Sequence, residues 1–128
     1  MPNTELHETA AALVAEGKGI LAADESTGTI KKRFDTIGVE STEENRRAYR
    51  DLLFTTLGAE EFISGVILFD ETIRQSADGG TPFSELLASK GIIPGIKVDD
   101  VFQANFGTGF LFGGGDELAS LPYSYTVG

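Results

Sequence analysis

The sequence predicts an α/β fold built on a parallel sheet, and three observations carry that reading. Short apolar runs occupy residues 20–23, 64–69 and 92–98. Each ends in a pair of acids: Asp24-Glu25, Asp70-Glu71 and Asp99-Asp100. Stretches with helical spacing separate the runs. Strands that are apolar along their whole length belong to a sheet covered on its faces, and intervening helices supply the crossovers that parallel strands require.

Residues 4–16 read as the first helix, with Leu6, Ala10, Leu13 and Val14 on one face and Gly17 at its end. The central stretch follows: Gly17-Lys18-Gly19-Ile20-Leu21-Ala22-Ala23-Asp24-Glu25-Ser26-Thr27-Gly28. It reads as a tight turn, a buried strand over 19–24, and a helix start capped by Ser26 or Thr27. A carboxylate at the C-terminal end of a buried strand is where α/β folds place chemistry. Asp24 therefore either takes part in catalysis or caps the next helix.

Ile30, Phe34 and Ile37 recur at i, i+4 and i+7, giving a short helix stopped by Gly38. Ser41-Thr42-Glu43-Glu44 has the capping-box pattern and opens a helix with Tyr49, Leu52, Leu53 and Leu57 on its buried face. Arg46, Arg47 and Arg50 are spaced for ion pairs on its other, solvated face. After the second run, Asp78-Gly79-Gly80-Thr81-Pro82 marks a turn, and Pro82 suits the first position of a helix that buries Phe83, Leu86 and Leu87. Gly91 ends that helix, and the third run follows, interrupted by Pro94-Gly95 and Lys97.

From residue 101 the composition changes. Residues 101–128 contain no Lys or Arg, while Phe102, Phe106, Phe110, Phe112, Tyr123 and Tyr125 sit among glycines and other small residues. Gly107-Thr108-Gly109 lacks the third glycine and the leading strand of a dinucleotide fingerprint. Interface cores favour aromatic residues and exclude charge, so these six aromatics are the candidate partner-binding residues. The chain divides accordingly into an α/β domain over 1–100 and an extended tail over 101–128.

Composition narrows the function. The 128 residues suit one small domain. A net charge of −10 argues against nucleic-acid binding, which needs basic residues to displace phosphate counterions. It leaves room for a small phosphorylated substrate. There are no cysteines, and His7 is a lone histidine expected in solvent, so neither a metal nor a cofactor is expected. Met1-Pro2-Asn3-Thr4-Glu5 has no signal-peptide character, and no apolar run reaches the ~20 residues of a membrane span. The expected location is a soluble interior compartment.

With Asp24 and Lys97 in view, the chain resembles the class I fructose-bisphosphate aldolases, the metal-independent Schiff-base type. The residues that carry the likeness are the 17–28 stretch, Ser41-Thr42-Glu43-Glu44-Asn45-Arg46-Arg47, Gly65-Val66-Ile67-Leu68-Phe69 and Gly95-Ile96-Lys97-Val98-Asp99. They cover about residues 5–99, in family order. The resemblance implies a partial (β/α)8 barrel, with Asp24 ending the first strand and Lys97 on the third. It gives Asp24 a part in proton transfer around the cleaved carbon and Lys97 a positive charge near a substrate phosphate. It sets Ser26 and Thr29 close to a phosphate, which suits hydroxyls at a helix N-terminus.

The Schiff-base lysine of the family lies on a later strand, and Lys97, the last lysine here, already belongs to the third. Three readings follow. One is a non-catalytic, aldolase-derived structural subunit of a larger protein assembly. There the tail is the contact arm, Asp24 and Lys97 are vestigial, and Lys97 can lie as readily on the surface as on an inner wall. Likeness to aldolases of photosynthetic lineages points to a plastid stroma or photosynthetic membrane complex as host, with the cytoplasm as the other location. The alternative is the N-terminal segment of an aldolase that cleaves fructose 1,6-bisphosphate reversibly into dihydroxyacetone phosphate and glyceraldehyde 3-phosphate, in glycolysis or the Calvin cycle. The third is a truncated gene product without a settled role.

Overall fold

A computed structural model describes residues 3–97 and 110–112. The order is α1 (Asn3–Leu13), β1 (Gly19–Ala23), α2 (Thr27–Asp35), α3 (Glu43–Phe54), a 3-10 turn (Ala59–Glu61), β2 (Ile63–Leu68), α4 (Asp70–Ile73), α5 (Phe83–Ser89), β3 (Ile93–Lys97) and β4 (Phe110–Phe112). The strands form one sheet in the order β1-β2-β3-β4. As the apolar runs predicted, β1, β2 and β3 are parallel and adjacent in chain order. β4 joins the far edge of β3 antiparallel, pairing Phe110 with Lys97 and Phe112 with Gly95.

One face of the sheet carries the core. Ala23, Val66, Leu68 and Ile96 pack with Phe54 of α3, Ile73 of α4, and Phe83 and Leu87 of α5. The Phe54 and Phe83 rings meet edge to face, 5.1 Å between centroids, a geometry that aromatic quadrupoles favour. Side chains alternate along a strand, so Ile20 and Ala22 turn to the opposite face, where both are exposed.

The turns follow their sequence signals. Gly17 sits at φ 78° between α1 and β1, and Gly80 at φ 89° in the 78–82 turn, a backbone region costly for residues with a Cβ. That turn closes through Gly80 N to Ala77 O (2.8 Å) and Ala77 N to Thr81 O (2.8 Å). Pro82 then caps α5 rather than occupying its first turn.

Helix faces depart from the expected stripes. Leu6 of α1 is exposed, as is Val14 just past the helix end, because α1 meets the sheet mainly through its end, where Ser64 Oγ donates to Leu13 O. Ile30 and Phe34 of α2 are buried, but Ile37 lies past the helix end and is 69% exposed. In α3 the N-cap is Thr42, whose hydroxyl accepts from Asn45 N at 3.1 Å, one residue later than the capping box predicts. The buried side of α3 carries Arg50 and Phe54, while Leu52 and Leu57 are 68% and 95% exposed. Arginines 46, 47 and 50 are therefore not a solvated face.

Candidate functional site

The C-terminal ends of β1, β2 and β3 assemble the charged residues. Ala23 pairs with Leu68, and Leu68 with Ile96. Asp24 and Lys97 each follow a member of that row, so they share the next row with Phe69 between them. At a strand spacing of about 4.8 Å their backbones lie roughly 10 Å apart. Alternation sends both toward the face opposite the helices, since Ala23, Leu68 and Ile96 face the core. Both are half-buried.

Ser26, and not Asp24, caps α2: its Oγ accepts from Thr29 N at 3.3 Å. The hydroxyls of Ser26 and Thr29 are 3.1 Å apart. The two residues singled out for phosphate contact are thus brought together at the first turn of α2, beside the end of β1. Asp24 is free of the capping role.

Around them lies a layer of arginines that sequence reasoning assigned to solvent. Arg50 is 2% exposed and donates from Nη2 to Glu25 O at 2.8 Å. Its Nε and Nη1 have no hydrogen-bond partner, nor has the buried Glu25 Oε1. Burial pushes the Arg50 guanidinium below its usual value, and the nearby carboxylate of Glu25 partly offsets this. The ring of Tyr49 adds a cation–π contact, 5.5 Å from guanidinium to centroid. Arg33 pairs with the other oxygen of Glu25, which raises the Arg33 pKa.

Arg46 grips Glu71, in the short helix α4 that follows β2, through two parallel bonds of 2.7 and 2.9 Å. It also donates to Ser41 O at 2.7 Å. Hydrogen bonding to Glu71 raises the Arg46 pKa. α3 is thereby tied to the ends of both β1 and β2. The readable signal was the i, i+4, i+8 stripe of Arg46, Arg50 and Phe54, with a phenylalanine at its end to mark the buried side.

Among the described residues no cluster of His, Cys, Asp and Glu could hold a metal ion, and no helix is long and apolar enough to cross a membrane. Phe102, Phe106, Tyr123 and Tyr125 lie outside the described residues, as does residue 98 onward to 109. Of Phe110 and Phe112 the backbone is placed, in β4, where it pairs within the chain.

A row of acid and lysine at the C-terminal ends of parallel strands can hold a polar substrate against the inner wall of a barrel. Comparison with known proteins identifies the family and the fold. The family described as "Fructose-bisphosphate aldolase class-I" matches residues 5–126, beyond Asp99, where the motif likeness stops. Over 95 residues, 74% of this chain, the sequence is 65% identical to fructose-bisphosphate aldolase 1 of Toxoplasma gondii, covering 26% of that protein. It is 64% identical over 95 residues to a probable class 1 fructose-bisphosphate aldolase of Xylella fastidiosa, covering 28% of it. The structure of the Plasmodium falciparum aldolase in complex with TRAP and a small-molecule inhibitor superposes with a TM-score of 0.73 at 55% identity, over 90% of this chain and 34% of that one. The chain spans about a quarter of the length of the curated relatives it matches, and its three parallel strands are part of their barrel. It belongs to the class I fructose-bisphosphate aldolase family.

Proposed function

We propose that this chain is the N-terminal segment of a class I fructose-bisphosphate aldolase, supplying Asp24 and Lys97 to a site that later strands complete. The observation that carries this reading is the shared row of Asp24 and Lys97 on the face opposite the helices. In that role Asp24 relays a proton at the carbon being cleaved. Lys97 neutralises a phosphate group, and the Ser26 and Thr29 hydroxyls at the α2 N-terminus donate to one. The carbonyl is activated as a Schiff base by a lysine that residues 1–97 do not supply. Cleavage of fructose 1,6-bisphosphate to two triose phosphates then requires the remaining strands.

The test is complementation. Alone, the chain is expected to form no borohydride-trapped adduct with dihydroxyacetone phosphate, read as intact mass. Co-expressed with the part of a related aldolase that follows the third strand, it is expected to restore cleavage of fructose 1,6-bisphosphate, and Asp24→Asn is expected to abolish that gain. A stable adduct on the chain alone, at Lys97 or any lysine, overturns the division of labour. Complementation insensitive to Asp24→Asn overturns the assigned role.

One observation favours a second reading, a non-catalytic subunit held to other protein chains. The edge of β3 where a barrel continues with a parallel strand is taken by antiparallel β4. Under this reading the chain co-purifies with stoichiometric partners from its source, in the cytoplasm or on the stromal side of a plastid membrane complex, and complementation fails.

A further inference from the structure

The bend between β1 and α2 carries the proposed site, with Asp24 before Glu25 and Ser26 after it. The carbonyl at its centre belongs to neither ladder. β1 ends at Ala23, and the ladder of α2 begins at Ser26 O, which accepts from Ile30 N at 3.0 Å. Glu25 O is taken instead by Arg50 Nη2, at 2.8 Å, from a helix 25 residues further along the chain.

The surroundings aim Arg50 at that atom. Phe54, one turn on, seats α3 in the core. The Tyr49 ring lies 5.5 Å from the guanidinium and meets Phe34 of α2 edge to face, 6.0 Å between centroids. Yet Arg50 is 2% exposed, and its Nε and Nη1 have no hydrogen-bond partner. Burial pushes its pKa down, against the charges of Glu25, Glu71 and Asp24. A buried cation so sparsely bonded adds little to stability, and an apolar side chain of similar size often serves as well. What its burial delivers is a fixed Glu25 carbonyl.

We propose that Arg50 is a positioning residue: by holding Glu25 O it sets Asp24 relative to the paired hydroxyls of Ser26 and Thr29. It acts through the bend and touches neither substrate nor reacting atoms. What the bend does rests on the reading above; how the bend is held does not.

The test compares the full chain, 15N-labelled, with Arg50→Met, which keeps a long stem and removes the donors. The Thr29 amide, bonded to Ser26 Oγ at 3.3 Å, is expected to change its shift and to exchange with solvent about ten-fold faster, the size of one hydrogen-bonded contact. In the complemented aldolase the same variant is expected to raise KM for fructose 1,6-bisphosphate and lower kcat. Together these amount to about a hundred-fold in kcat/KM per folded enzyme, the effect of a misplacement of roughly 1 Å. Ile92→Val trims the core at the start of β3, the end of the sheet away from the site. It is expected to lower the thermal midpoint and to leave KM and kcat per folded enzyme unchanged. Arg50→Lys, which keeps a cationic donor, is expected to show smaller losses in the same direction, and it serves should methionine prevent folding. A Thr29 amide that does not respond to the Arg50 variants overturns the proposal, as do an unchanged KM and kcat. A wild-type chain that fails to complement overturns the reading above, and the Thr29 amide alone then decides whether Arg50 holds the bend.

Discussion

Ser26 ends one element and begins another. Its hydroxyl takes the Thr29 amide that α2 would otherwise leave unpaired, and it touches the Thr29 hydroxyl as well. Ser26→Ala is expected to cost about 1 kcal/mol in urea unfolding, and Ser26→Thr to recover most of it. Arg50 works on a larger scale, with a buried stem and a guanidinium that satisfies Glu25 O. Arg50→Ala removes packing and orphans a carbonyl, so a loss of about 2–4 kcal/mol is expected in the same measurement. Glu44 gives a pH signature. Its hydrogen bonds with Arg47 hold its carboxyl below the ordinary 4.5. A carboxyl with a lowered folded value adds stability above its unfolded value and loses it as pH falls through the folded one. A side-chain NMR titration is expected to place Glu44 below 4.5, and Arg47→Ala to return it to the ordinary range.

At the scale of the element, the strands could be read from the sequence and the helix faces could not. Gly65-Val66-Ile67-Leu68 is apolar at every position because both faces of β2 are covered, so nothing in the run misleads. α3 misleads because only part of the expected stripe is buried: Leu53 packs on the core, but the most buried positions are Arg50 and Phe54. Leu52 and Leu57 point to solvent, while Arg50 and Phe54, four apart, meet the turn after β1 and the core. A rule that sends arginine outward fails where a guanidinium has a backbone carbonyl to reach and an aromatic ring to lie against. The same rule hid the grip of Arg46 on Glu71. Asp24 was a candidate from its place at the end of an apolar run, Lys97 only through family likeness; their common row needed the register. Within the core, α5 contributes Phe83, fully buried against Phe54. Phe83→Ala is expected to cost about 3–5 kcal/mol. For a domain with roughly 5–15 kcal/mol in total, that shows as a lost or strongly shifted cooperative transition in circular dichroism.

For the molecule as a whole, the open question of a partial barrel is its edges. A strand with unpaired N–H and C=O groups recruits another strand, and barrels avoid this by closing. Here β1 has a partner on one side, β2, and β3 is flanked by β2 and β4. Three residues, Phe110–Phe112, thus cover the edge of β3 along Gly95, Ile96 and Lys97. This cover is small, and its cost is large. Ordering each residue of the intervening segment costs about 1–2 kcal/mol of backbone entropy, whereas a buried aromatic side chain returns roughly 1.5–3 kcal/mol. The pairing is therefore expected to be weak and to open far more often than the β2–β3 pairing. Hydrogen exchange tests this directly: amides of β3 that face β4 should exchange faster than those of β2 that face β1. Removing residues 101–128 should then erase the protection of those β3 amides and make the longer β3, in place of the three-residue β4, the edge of the sheet. The truncated chain is expected to associate at lower concentration than the full one, read by sedimentation velocity. Equal protection in β3 and unchanged association after truncation would mean that β4 does not hold the edge, and that the sheet is kept apart from its neighbours by some other feature of the α/β part.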